Sequence, residues 1–386
     1  MLSPDDRVLV PVTGNQKTEL WDTRTGRLIA TVEGRPLRAI SYSDFVLIDA
    51  FSPDSKTLIT IAGKNAMLWD TSNGKLKRVL KGHTKDIRSA AFSPDGDTIA
   101  TGSADGTVKL WNAATGDVKA TLDAFKVKHY ARWRIISRKI ANIFAEVSVA
   151  FSRDSKKVLT VAVDQETKLW DARTGAQLAI LGKNLSGHFS PSGRFIFTQR
   201  TDFTGTDLWD TETGKLKATL EGGQAVFSPD EQWLGLVGYQ GSKGLLNLNT
   251  MKLEKPLPLS LNDFETWTAF SPDGKSFALA SGIKKHSVDL VDVATGKLIA
   301  NLPVESKPGF DLVSEYLKYW EKLTFDPKSR FLMGANQNQV RFWDAKTGRQ
   351  LTATTDGRDP AAISSDGKFV VTTDKDKKSL TLWEIN

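Results

Sequence analysis

The sequence predicts an all-β chain assembled from nine copies of one unit, each a small sheet of four antiparallel strands. Three observations carry this reading. The first is a recurring hexapeptide, Trp-Asp-x-x-Thr-Gly. It stands at Trp21 to Gly26, Trp170 to Gly175, Trp209 to Gly214 and Trp343 to Gly348, with looser copies at Trp69 to Gly74, Trp111 to Gly116 and Val291 to Gly296. The second is a companion turn upstream of each copy, clearest at Phe92-Ser93-Pro94-Asp95-Gly96 and Phe270-Ser271-Pro272-Asp273-Gly274. The third is the spacing of about 40 residues, a period that belongs to arrays and radial repeats.

The turn chemistry explains the companion motif. Pro presets the backbone of a turn, Asp bonds back to it, and Gly accepts positive φ. Weaker versions follow Phe51, Phe151, Phe189, Phe227, Phe325 and Ile363, and Ser3-Pro4-Asp5 opens the chain, which gives nine turns of one type.

One unit shows how the elements follow one another. Ile87 to Phe92 is short and apolar and leads into the Ser93 to Gly96 turn. Thr98 to Gly102 reads as a second strand, and Ala104-Asp105-Gly106 is a tight hairpin signal. Thr107 to Trp111 alternates, Asn112 to Gly116 turns again, and Val118 to Leu122 is a fourth strand. Apolar spacings of three and four, which a helical repeat would need, are missing from these segments. Approximate units run over 1–33, 46–80, 86–122, 147–181, 186–220, 223–259, 266–302, 323–354 and 361–386.

On these motifs the chain resembles the WD-repeat (WD-40 type) β-propeller family over almost its whole length. The resemblance implies a single β-propeller of four-stranded blades, nine by count or eight full blades. The best unit is Gly82 to Asn112, entered by Gly82-His83. In that family a His, a Ser or Thr, an Asp and the Trp form a hydrogen-bonded tetrad that braces a blade. Here His83, Ser103, Asp105 and Trp111 match it. Other units depart: Gly187-His188 abuts Phe189 directly, and Leu246-Asn247 replaces Trp-Asp in the sixth.

Composition narrows the function. The chain has 386 residues, net charge +7 and no Cys. Disulfides, thiolate nucleophiles and Cys-based zinc sites are therefore excluded. No run of about 20 apolar residues is present, so no membrane span is expected. The first residues lack a basic segment followed by an apolar run, and a cytoplasmic location is expected. The chain starts at a turn and finishes on a third strand, which reads as a hint of a piece of a longer, multidomain chain.

The period stretches twice, at 123–146 and 303–322. The first insertion sets Lys126, Lys128, Arg132, Arg134, Arg138 and Lys139 against Asp123 and Glu146, a net of +4. Trp133, Ile136, Ile140, Ile143, Phe144 and Val147 recur at helical steps, as do Leu312, Val313, Tyr316, Leu317 and Trp320 in the second. Two short helical insertions are therefore expected. By the resemblance they rise from one rim, opposite the recurring turns.

Three uses of these insertions compete. Each helix could lay its apolar face on the propeller with its charges solvated. The rim could bind a protein, with Lys126, Lys128, Arg132, Trp133, Arg134, Arg138, Tyr316, Tyr319 and Trp320 as candidate partner-binding residues, because aromatic and Arg anchors dominate interface energetics. The basic insertion, with Tyr130 beside Trp133, could touch nucleic acid or an anionic surface.

No catalytic constellation is found. His83, His129, His188 and His286 fall in separate units, without metal-binding spacing. Gly241-Ser242-Lys243-Gly244 lacks the spacing of a hydrolase elbow. Quinone-dependent propeller dehydrogenases share an Asp-x-x-Thr-Gly repeat, but there the Trp follows, whereas here it precedes. The expected function is a non-enzymatic protein-binding scaffold or sensor without cofactor or metal. The resemblance adds bacterial signalling chains as a setting.

Overall fold

The computed structural model describes residues 1–11, 17–35, 50–126, 147–162, 165–200, 205–221, 224–237, 244–257, 266–281, 287–303, 322–335, 340–354, 359–373 and 380–384. Every regular element among these residues is a strand, and all the pairing is antiparallel between strands adjacent in sequence. Most of both expected helical insertions, 127–146 and 304–321, lies outside the described residues.

The chain divides into two compact units, Met1–Phe203 with Asp207–Thr219, and Thr204–Thr206 with Leu220–Asn386. In the first unit the third repeat shows the full pattern: Ile87–Phe92, Thr98–Ser103, Thr107–Asn112 and Val118–Asp123 pair in that order. The second repeat contributes Thr57–Ala62, Asn65–Asp70 and Leu76–Leu80, with Phe51 bridging Leu58 in the place of a first strand. The first repeat contributes Val8–Leu9, Lys17–Asp22 and Leu28–Glu33. The chain does not simply begin at its turn. Leu2 bridges Leu9, and Met1 and Val10 exchange backbone bonds, so Met1 and Leu2 stand where other repeats have their first strand.

The fourth and fifth repeats are fused into one seven-stranded sheet from Val147–Phe151 to Leu216–Glu221. Its central strand, Gln177–Phe189, is the fourth strand of one repeat and the first of the next. The second unit holds four-stranded sheets at Gln224–Pro256, Thr266–Pro303 and Lys322–Thr354, and a three-stranded one of Asp359–Ile363, Phe369–Thr373 and Leu380–Glu384.

Second strands are buried at most positions and third strands less evenly, while fourth strands are mostly exposed. Opposite the Trp position the fourth strand carries one extra residue, seen at Trp21, Trp69, Trp111, Trp170 and Trp343, and at Leu246 and Val291 where Trp is replaced. Such a bulge increases local twist and turns the outer edge away from flat pairing.

The repeats are stapled to one another by the residues the motif repeats. From the second repeat onward, the Gly that closes a Trp-Asp-x-x-Thr-Gly turn lies against the fourth strand of the preceding repeat, as Gly74 on Ala30, Gly175 on Ala120, Gly214 on Ala179 and Gly348 on Ala300. A second staple uses Ser. Ser55, Ser155 and Ser329 hold positive φ where Gly96, Gly193, Gly274 and Gly367 stand in four other repeats, and each hydroxyl accepts the backbone N–H of the turn Asp one repeat earlier, from Asp5, Asp95 and Asp273, each at 3.0 Å. The bond offsets part of the cost of a left-handed non-Gly residue.

Candidate interaction surface

The polar network of the third repeat builds the best-defined local site. The Trp111 indole N–H donates to the Thr101 hydroxyl at 2.8 Å. Thr101 Oγ1 lies 2.8 Å from His83 Nε2, and His83 Nδ1 lies 2.9 Å from Asp105 Oδ2. An indole can only donate, so Thr101 accepts from it and has its own proton for His83 Nε2. The carboxylate of Asp105 then takes the Nδ1 proton.

Thr101, rather than Ser103, occupies the middle of this chain. The Ser103 hydroxyl instead donates to the carbonyls of Lys85 and Asp86, and accepts the Asp105 N–H. The physical reason is position along the strand. Thr101 lies two residues beyond Ile99, the cross-strand partner of Trp111, and so shares its face of the sheet, while Ser103 sits at the hairpin end.

Asp105 is half-buried, and this burial opposes its charge. The Thr107 hydroxyl, the Thr84 and Thr107 amides and the His83 ring outweigh this and hold its carboxyl well below the usual carboxylate range. Asp22, Asp70, Asp171, Asp210 and Asp344 of the recurring turns are also lowered, each by hydrogen bonds within its own turn. In Asp22 and Asp171 the Thr25 and Thr174 hydroxyls lead; in Asp70 it is Ser72.

The indole–Thr bond recurs as Trp69 to Thr60, Trp170 to Thr160, Trp209 to Thr198 and Trp383 to Thr372, at 2.8 or 2.9 Å. Where Trp is lost, so is Thr. Val291 goes with Leu279 in the seventh repeat and Leu246 with Leu236 in the sixth. Sequence reasoning passed over this threonine. A Thr nine to eleven residues before each of these five Trp residues was the available signal.

The hairpin that carries Asp105 also seats the first insertion. Phe125 N donates to Gly106 O, Lys168 Nζ donates to Asp123 O, and Ala124 is fully buried. Lys126 is exposed at the end of this seat. Beside it, Arg88 reaches toward Asp86 at 3.8 Å, and its Nε is buried without a hydrogen-bond partner. The remaining candidate partner-binding residues, Lys128, Arg132, Trp133, Arg134, Arg138, Tyr316, Tyr319 and Trp320, lie outside the described residues, as do His129 and His286. His188 is buried against Phe197, with ring centroids 4.9 Å apart. Among the described residues no three His, Asp or Glu side chains converge as a metal site, and no helix is long and apolar enough to cross a membrane.

Comparison with known proteins fits this geometry. Residues 74–112 match the family model "WD domain, G-beta repeat". The chain is 24% identical over 240 residues to nuclear distribution protein PAC1 of Arthroderma benhamiae, covering 58% of this chain and 52% of that protein. It is 24% identical over 295 residues to protein tipD of Dictyostelium discoideum, with 73% and 43% covered. The guanine nucleotide-binding protein subunit beta of Solanum tuberosum is 32% identical over 114 residues, 29% of this chain and 30% of that protein. The chain thus spans about half the length of PAC1 and less of the other two. Its fold is similar to that of the computationally designed Ika8 protein in a crystal structure, with a TM-score of 0.57, 19% identity, and 86% and 93% of the two chains covered. Residues 74–112 thus match a WD repeat, and the recurring Trp–Thr strand pairs and these relatives support a WD-repeat family for the chain.

Proposed function

We propose that this chain is a non-enzymatic, protein-binding scaffold or sensor, whose repeats form a single propeller and whose partner docks on the loops that carry the two insertions. One observation carries the reading most directly. The first insertion springs from a rigid seat, with Ala124 buried, Phe125 tied to Gly106 and Asp123 tied to Lys168, next to the hydrogen-bonded hairpin of Asp105. A variable loop held on a fixed frame is how scaffolds present binding residues. The recurring turns, by contrast, spend their polar side chains on each other, as in Ser93 to Asp95 and Thr174 to Asp171. A cytoplasmic location and a role within a longer signalling chain are part of the same proposal.

The test is deletion of Lys126 to Ala145, and separately of the second insertion, each closed by a short Gly linker. Melting should stay within a few degrees of the parent, and the partner recovered by affinity purification should be lost. Unchanged recovery from both deletions overturns the reading.

A further inference from the structure

We propose a second binding surface on the outer edge of the second repeat, where Lys75, Arg78 and Lys81 around Leu76 take an acidic, extended peptide segment. The fourth strand here, Leu76–Leu80, with its flanking residues carries four cations, Lys75, Lys77, Arg78 and Lys81, and no carboxylate. No other fourth strand with its neighbours carries more than two: the third repeat has Lys119 with Asp117 and Asp123, and the fifth has Lys215 and Lys217 with Glu221.

Lys77 is accounted for, since its ammonium donates to Thr57 Oγ1 and lies near Asp54 and Asp70. Lys75, Arg78 and Lys81 are exposed, and among the described residues none forms an ion pair. Leu76, half exposed at 50%, sits between them.

Arg78 also breaks the packing rule of the repeats. It stands over Gly116, where the first, third, fourth and seventh repeats place Ala30, Ala120, Ala179 and Ala300 over the next repeat's Gly. Its stem lies 3.7 Å from the Cβ that Gly116 lacks. The sixth repeat has Lys255 there, but turns its ammonium inward, 3.8 Å from the Trp233 ring centroid and 2.6 Å from Val293 O. Arg78 keeps its guanidinium at the surface and caps its neighbour's carbonyl, Lys77 O, at 2.7 Å.

That cap and the bulge at Lys77 close the edge to strand addition. The partner is held by side chains, through charge complementarity and an apolar contact on Leu76. A peptide fits better than a nucleic acid, because residues 75–81 offer no aromatic ring on which a base could stack. Surface charge pairs of this kind bring salt-sensitive, fast association rather than tight binding.

The experiment is fluorescence anisotropy with a labelled Glu-Asp-Leu-Glu-Asp-Val-Glu peptide and the full chain. Binding is expected at low salt, weakened about tenfold or more by the pair Lys75→Glu and Lys81→Glu, in line with like-charge rejection of a wrong partner. Arg78→Ala, which restores the small residue of the other repeats, should also weaken it. The pair Lys215→Glu and Lys217→Glu on the fifth repeat, and deletion of residues 126–145, should leave it unchanged. The last arm separates this surface from the insertion loops. No binding at low salt, equal loss from the fifth-repeat pair, or tighter and equally variant-sensitive binding of an oligothymidine overturns the proposal.

Discussion

Thr101 is the residue on which the third repeat turns. One hydroxyl satisfies two buried groups, the Trp111 indole and His83 Nε2. Thr101→Val keeps the shape and strands both, and each unsatisfied buried group costs about 1–3 kcal/mol. The expected loss is about 2–4 kcal/mol in denaturant unfolding, with Thr101→Ser costing much less. Equal losses from the two variants would show that the methyl, not the hydroxyl, matters. Asp105 gives a pH prediction with a definite sign. Its folded carboxyl titrates well below the unfolded value of about 3.9, so its stabilisation is complete above that value and fades as pH falls toward the folded one. Asp105→Asn should lower the melting temperature at pH 7 and shrink the fall between pH 4 and pH 2. A fall as steep as the parent's would remove Asp105 as a source.

At the scale of elements, the Trp-Asp-x-x-Thr-Gly turn does two jobs that a pair of glycines can separate. Gly26 and Gly74 share the left-handed backbone, φ 65° and 67°. An added Cβ at Gly26 meets nothing within 4 Å, while at Gly74 it would fall 2.1 Å from Ala30 Cβ. Gly26→Ala should therefore cost only the backbone term, about 1–2 kcal/mol. Gly74→Ala should cost clearly more, because the first and second repeats must move apart. Comparable melting shifts for the two would mean that the turn, and not the packing between repeats, sets the need for Gly. The motif made the turns legible in the sequence. It did not show that the same Gly is a contact to the neighbouring repeat, since Ala30 is far from it along the chain.

For the molecule as a whole, the fused sheet of the fourth and fifth repeats predicts shared stability. Gln177–Phe189 runs through both without a break, pinned at its kink by Asn184, whose side chain donates to Leu181 O at 2.7 Å. Elements in one hydrogen-bonded sheet open together. Amides of Ala179 to Leu181 and of Gly187 to Phe189 should therefore show hydrogen-exchange protection within about tenfold of each other. Independent opening of the two ends would mean that the repeats fold separately despite the continuous strand.

The sequence by itself determined the class of fold, because Trp, Asp, Thr and Gly recur at a fixed period and each obeys local rules of turns and alternating strands. Nine turns, the strand order within a repeat and three residues of the His83 network were legible that way. Only the tertiary structure decided that Thr101 completes the network, that Ser55, Ser155 and Ser329 tie one repeat to the next, and that Lys75, Arg78 and Lys81 stay exposed while Lys77 turns to Thr57. These depend on which side chains meet across strands and between repeats. A one-residue shift in register or a bulge changes such meetings while leaving the period of the sequence untouched.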